Sequence, residues 1–200
     1  KGVTFRHLPP NRIFDVGGSS IFLEGEFDNI FYTLALLNSK LTFYTADCLN
    51  PTVNTQVGDL KRVPFVKPNR SREKTISSIS KTNVERKKSL TTYDPTERLF
   101  EKSPLEFGPE NLSLKESLQQ FFDHENNQIA KILINEALID EIIFNVYDLT
   151  EEDRKDVLEK QGTSTGQFPI SDTAQEKFLA SDNELDEVDD FVQDLRSLNQ

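Results

Sequence analysis

Between Asp28 and Asn50 the apolar positions recur every three or four residues. Phe27, Ile30, Phe31, Leu34, Leu37, Leu41, Tyr44 and Cys48 fall on one stripe. That period predicts a helix over Asn29 to Cys48 with one buried face. Asp28 is placed to cap it, and the Asn38-Ser39 pair can loosen it midway. Asn50-Pro51 ends it, because proline disfavours helical geometry in the residue before it. On either side the pattern is shorter. Val3-Thr4-Phe5, Ile13-Phe14-Asp15-Val16 and Ile21-Phe22-Leu23 are β-prone pieces separated by Pro9-Pro10-Asn11 and by Gly17-Gly18-Ser19-Ser20. Thr52-Val53, Gln56-Val57, a Gly58-Asp59 turn and Val63-Pro64-Phe65-Val66 follow the helix in the same manner. These pieces predict the last strands of a small sheet.

Beyond Val66 the alternation stops. Lys67 to Ser89 is polar, basic and rich in Ser, Thr and Asn, and reads as a linker or arm with a short helix near Asn83 to Lys88. A strong helical pattern starts at Ser113, where Ser113-Leu114-Lys115-Glu116 has the spacing of a capping box. It continues through Leu118, Phe121, Ile129, Ile132, Leu133, Ile139, Ile143 and Val146, with a break expected near Asn126-Asn127. Thr150-Glu151-Glu152-Asp153 opens a further helix with its acidic residues near the positive end, and Gly162 closes it. A last amphipathic stretch, Asn183 to Leu198, has Leu185, Val188, Phe191, Val192, Leu195 and Leu198 on one face and mostly acids elsewhere. The resulting fold class is α+β. It is mostly helical, with a small N-terminal strand-containing portion and a C-terminal helical region.

Charge sharpens this division. The 200 residues carry a net −11, but the charge is uneven. Residues 1–60 hold 4 basic and 6 acidic side chains, residues 61–104 hold 12 and 5, and residues 105–200 hold 7 and 23. A local field steers a polyanion, so the basic middle matters more than the total. Three segments follow: 1–66, a basic linker at 67–94, and an acidic helical region at 95–200. The absence of Met leads us to expect a piece of a longer protein. Lys1 to Pro10 has no apolar run of the signal-peptide kind, and no stretch approaches the roughly 20 apolar residues of a membrane span. A cytoplasmic protein with no membrane partner is the expectation.

The chemistry that the residues can support is narrow. Two histidines, His7 and His124, and one cysteine, Cys48, leave too little material for a Ser-His-Asp or Cys-His set or for a metal site. Asp140-Glu141 and Glu151-Glu152-Asp153 read as helix faces and helix starts, not as catalytic pairs. Gly17-Gly18 is no phosphate loop. Asn50-Pro51-Thr52-Val53 shares two residues with the Asn-Pro-Pro-Tyr motif of amino-methyltransferases. It lacks the second proline and the aromatic that stacks on a flipped base. What remains is cationic: Lys61, Arg62, Lys67, Arg70, Arg72 and Lys74 fit contacts to DNA phosphates, which position a duplex without reading it. The bland alternative is a solvated basic linker.

The order of short motifs adds a resemblance. Phe14-Asp15-Val16-Gly17-Gly18-Ser19-Ser20-Ile21-Phe22, Leu36-Leu37-Asn38-Ser39-Lys40, Leu49-Asn50-Pro51-Thr52, Gln56-Val57-Gly58-Asp59-Leu60-Lys61 and Val63-Pro64 occur in sequence. Together they resemble the segment after the catalytic domain in the large adenine methyltransferases of BREX phage-resistance systems. They are also similar to the type IIG restriction-modification enzymes and to type I target-recognition domains. A looser match runs from Ile134-Asn135-Glu136 and Ile139-Asp140 into Val146-Tyr147-Asp148-Leu149-Thr150-Glu151-Glu152. There the family's helix ends in a Tyr-Gly-Leu-Thr-Glu-Glu type of sequence, and Asp148 stands in place of the glycine. The resemblance covers residues 1–66 well and 95–170 loosely, and makes 1–66 a target-recognition-like segment. It implies a parent enzyme that uses S-adenosylmethionine to methylate adenine N6 in double-stranded DNA, alongside other defence-system subunits. It also implies that this chain has no catalytic residues and no cofactor of its own. The competing reading is a non-enzymatic module whose acidic helices bind a protein.

Overall fold

The computed structural model describes residues 4–13, 20–25, 29–50 and 57–162. The apolar stripe after Asp28 folds as two helices, α1 (Ile30–Leu37) and α2 (Lys40–Leu49). The cap of α1 is Asn29, whose side chain accepts the Tyr32 N–H. The break falls at Asn38-Ser39, as those residue types suggested. Ser39 caps α2 by accepting the Thr42 N–H, and its own hydroxyl donates to the Leu36 carbonyl at 2.7 Å. One residue thereby ends one helix and starts the next. Asn50 closes α2.

Next come α3 (Val57–Leu60), α4 (Arg70–Thr91), a 3-10 turn at Pro104–Glu106, α5 (Leu114–Val146) and α6 (Glu151–Gln161). The Ser113–Glu116 capping box is formed, with Glu116 accepting both the N–H and the hydroxyl of Ser113. Thr150 and Asp153 form the equivalent box on α6, and Gly162 closes that helix at φ +70°. The break expected near Asn126-Asn127 is absent: α5 runs unbroken for 33 residues.

The α+β class is overturned. The described residues are helical and contain no strand. Val57, Gly58 and Asp59 lie in α3, so the Gly-Asp turn is a helical turn. Ile21-Phe22-Leu23 is irregular, with Phe22 71% exposed. Phe5 lies in no strand: its N–H donates to Asn38 Oδ1 at 3.0 Å and its carbonyl accepts from Asn38 Nδ2 at 3.1 Å. A side-chain amide does there what a neighbouring strand would do. Val3, 14–19 and 51–56, where other strands were expected, lie outside the described residues, as does the Asn183–Leu198 helix.

Two compact units divide the described residues. One takes the chain to Val84 and resumes at Glu136, and the other runs Glu85–Asn135. The first unit is built on Tyr32, Ala35 and Leu36 of α1, Ile76 of α4, and Ile139 and Ile143 of α5, with Phe65 and Tyr147 packed against them. Asp140 is buried in this unit and accepts the Lys40 backbone N–H at 2.9 Å, placing a carboxylate at the positive end of α2. Against α2 lies α6, where Gln161 donates to Asp47 at 2.7 Å and Lys160 sits 5.0 Å from the Tyr44 ring. The second unit centres on rings: Tyr93, Phe107 and Phe121 pack on one another and His124 packs on Phe107, with centroids 5.1–5.8 Å apart. Gly108 sits beside them at φ +88°, where a Cβ would stand 2.9 Å from Leu112 Cδ1.

Candidate nucleic-acid interface

The segment that carries the cations begins where α3 ends. The Arg62 and Val63 N–H groups bond back to the Asp59 and Leu60 carbonyls, and Asn50 Nδ2 donates to Asp59 Oδ2 at 2.7 Å. Lys61 and Arg62 are exposed on this turn. The chain then runs irregularly through Pro64-Phe65-Val66, and two tyrosines from the core hold it. Tyr32 donates its hydroxyl to the Val66 carbonyl at 2.6 Å. Tyr147 donates to the Pro64 carbonyl at 2.7 Å and accepts the Val66 N–H at 3.2 Å. Three backbone groups that a strand would have paired are satisfied by phenols. Burial, then the neighbouring Tyr147 and Glu73, push the Tyr32 phenol well above its ordinary range. Burial pushes Tyr147 upward too, against the pull of its Val66 bond.

Past this clasp, Lys67 is exposed, Pro68 is buried and Asn69 starts α4 by accepting the Arg72 N–H at 2.9 Å. The 22-residue α4 absorbs the short helix expected at Asn83 to Lys88. Its inward stripe is Ile76, Ser80 and Asn83, with Ile76 fully buried, and Ile79 packs beside it. Glu73 accepts from Asn29 Nδ2 at 2.9 Å. So little apolar surface explains why the sequence read as a linker. Asn69 after Pro68, followed by Ile76, Ile79 and Asn83 at helical spacing, was the available signal.

All six expected cations are exposed. Arg70 and Lys74 stand one turn apart on the outer face of α4. Arg72 points about 40° from the Ile76 direction and stays exposed because it lies in the first turn. Lys61, Arg62 and Lys67 are joined to them by the short clasped segment. Lys81, which the sequence reading did not single out, lies two turns beyond Lys74 on the same outer face and is exposed. Among the described residues, the side chains of Lys61, Arg62, Arg70, Arg72 and Lys74 form no ion pair. No group of three His, Cys, Asp or Glu side chains among those residues could hold a metal ion, and no helix there is long and apolar enough to cross a membrane.

Comparison with known proteins adds one relative. Over 69 residues, 34% of this chain, the sequence is 38% identical to "Adenine-specific methyltransferase BrxX" of Escherichia coli O9:H4 (strain HS). The matched stretch is methyltransferase-related. It spans only 6% of the length of that protein. No protein-family profile matches the chain, and no solved structure matches it.

The looser motif of the sequence reading falls on the α5–α6 junction. Asp148 takes φ +50°, and the Leu149 N–H reaches back to the Phe144 carbonyl at 3.1 Å. That is the left-handed helix ending in which glycine is the usual residue, here occupied by an aspartate. Arg154 then ties the junction together through Glu141 at 2.9 Å, Asn145 at 2.7 Å and the Leu149 carbonyl at 3.3 Å.

Proposed function

We propose that the chain is the DNA-recognition, C-terminal part of an S-adenosylmethionine-dependent adenine-N6 DNA methyltransferase serving phage defence or restriction-modification. The observation that carries this reading is the 38% identity to an adenine-specific methyltransferase over a third of the chain. Exposure of Lys61, Arg62, Lys67, Arg70, Arg72 and Lys74 on one unit supports their role as phosphate contacts on double-stranded DNA. In this reading methyl transfer and S-adenosylmethionine binding belong to another part of the parent protein. No chemical step is assigned to this chain in that reading. Other subunits of the defence system are further partners of the parent.

The test is binding of the 200-residue chain to duplex DNA, followed by fluorescence anisotropy between 50 and 200 mM salt. Six phosphate contacts give a log–log slope of about −5. Replacing all six cations by Gln is expected to remove most of that slope. Salt-independent retention of the DNA, or no binding by the unaltered chain, overturns the reading for this chain.

A further inference from the structure

We infer that α4 is the element that lies along the nucleic acid, with Arg70, Lys74 and Lys81 as a phosphate-tracking stripe on its outer face. This rests on the DNA-contact reading above and goes further: it assigns the contact to one helix and adds Lys81. At 3.6 residues per turn the three cations fall within an arc of about 40°, roughly 120–160° away from Ile76. Ile76, Ser80 and Asn83 fix which way the helix faces, so the stripe points outward by construction. Arg70 to Lys81 spans about 16 Å of helix axis, a length over which a duplex presents on the order of ten phosphate charges.

Two further features suit a polyanion. Ser71 and Ser78 are exposed beside the stripe and offer hydroxyl donors of the kind phosphates accept. Glu73, the single acid between Arg70 and Lys81, is turned away from the stripe and accepts from Asn29 at 2.9 Å. No acid therefore stands on the stripe between Arg70 and Lys81, and the next on that face is Glu85, one turn further on. Between Arg70 and Lys81 that face holds cations and hydroxyls and no base-reading amide or carboxylate, which makes the contact blind to sequence.

The experiment compares the full chain with a triple variant, Arg70→Gln with Lys74→Gln and Lys81→Gln, and with Ser78→Lys, which adds a charge beside the same stripe. All positions are exposed, and circular dichroism verifies that helix content is kept. The triple variant is expected to lose 2 to 3 units of the salt slope, and on the order of 10²-fold in affinity at 0.1 M salt, equally on duplexes of unrelated sequence. Ser78→Lys is expected to steepen the slope by about 1. Salt-dependent binding by the unaltered chain, with the triple variant's slope unchanged, overturns the α4 assignment and leaves the proposed function standing. A loss confined to one DNA sequence overturns it as well, since α4 would then be reading bases. Equal binding to polyglutamate and to duplex DNA overturns the choice of nucleic acid as partner. No DNA binding by the unaltered chain removes both readings.

Discussion

At Asp148 a single residue decides how α5 gives way to α6. Its backbone sits at φ +50°, where an L side chain meets the backbone and only Gly, Asn and Asp are readily accommodated. Asp148→Gly is expected to be neutral or stabilising by up to about 1 kcal/mol, and Asp148→Val to cost about 1–2 kcal/mol, read as shifts in the thermal midpoint. A Gly variant as destabilised as the Val variant would show that the Asp carboxylate, not the backbone, holds the turn. The helix start beyond it was legible in the sequence, since Thr150-Glu151-Glu152-Asp153 announces one whatever precedes it; the left-handed backbone of Asp148 was not. Asn38 was only half legible. Its type suggested a loosened helix, but nothing local could reveal that its amide would clasp both backbone groups of Phe5, 33 residues earlier.

Among the elements, those with strong local codes were read correctly and those made by distant partners were not. The capping box at Ser113 and the helix start at Thr150 lie within four residues and were visible, as was the apolar stripe that became α1 and α2. Among the described residues, Phe5 and Pro64–Val66 form no strand: period-two apolar pieces need a partner ladder, and here Asn38, Tyr32 and Tyr147 supply those bonds instead. In α4 the opposite error arose, since its inward face is mostly Ser and Asn and its stability comes from packing Ile76 into the first unit. The buried Asp140 belongs to this scale too. Asp140→Ala is expected to destabilise the fold by about 1–3 kcal/mol by leaving the Lys40 N–H without its acceptor, while Asp140→Asn costs less. Chemical denaturation of the two variants checks the order, and equal losses would mean that the charge at the start of α2 outweighs the hydrogen bond.

On the scale of the whole molecule the two units respond to opposite ends of the pH range. Buried Tyr32 and Tyr147 ionise less readily in the folded first unit than in the unfolded chain. Their contribution is complete below the unfolded tyrosine value near pH 10 and is lost as pH rises past it. In the second unit burial lowers His124 despite the opposing Glu125, with Lys131 adding to the lowering. Its contribution is present above the unfolded histidine value near pH 6.5 and is lost as pH falls. Thermal melts from pH 5 to 11 should therefore show an alkaline fall that Tyr32→Phe reduces and an acid fall that His124→Gln reduces. Either fall persisting unchanged in its variant would reassign it to other groups. The tyrosine clasp has a consequence of another kind. It grips the carbonyls of Pro64 and Val66, which every amino acid carries, and the Val66 N–H, which only proline lacks, and so asks little of the side chains around it. Lys61, Arg62, Lys67 and the outer face of α4 are thus free to change through evolution without loosening their mounting. The cationic surface can be retuned while the scaffold beneath stays as it is.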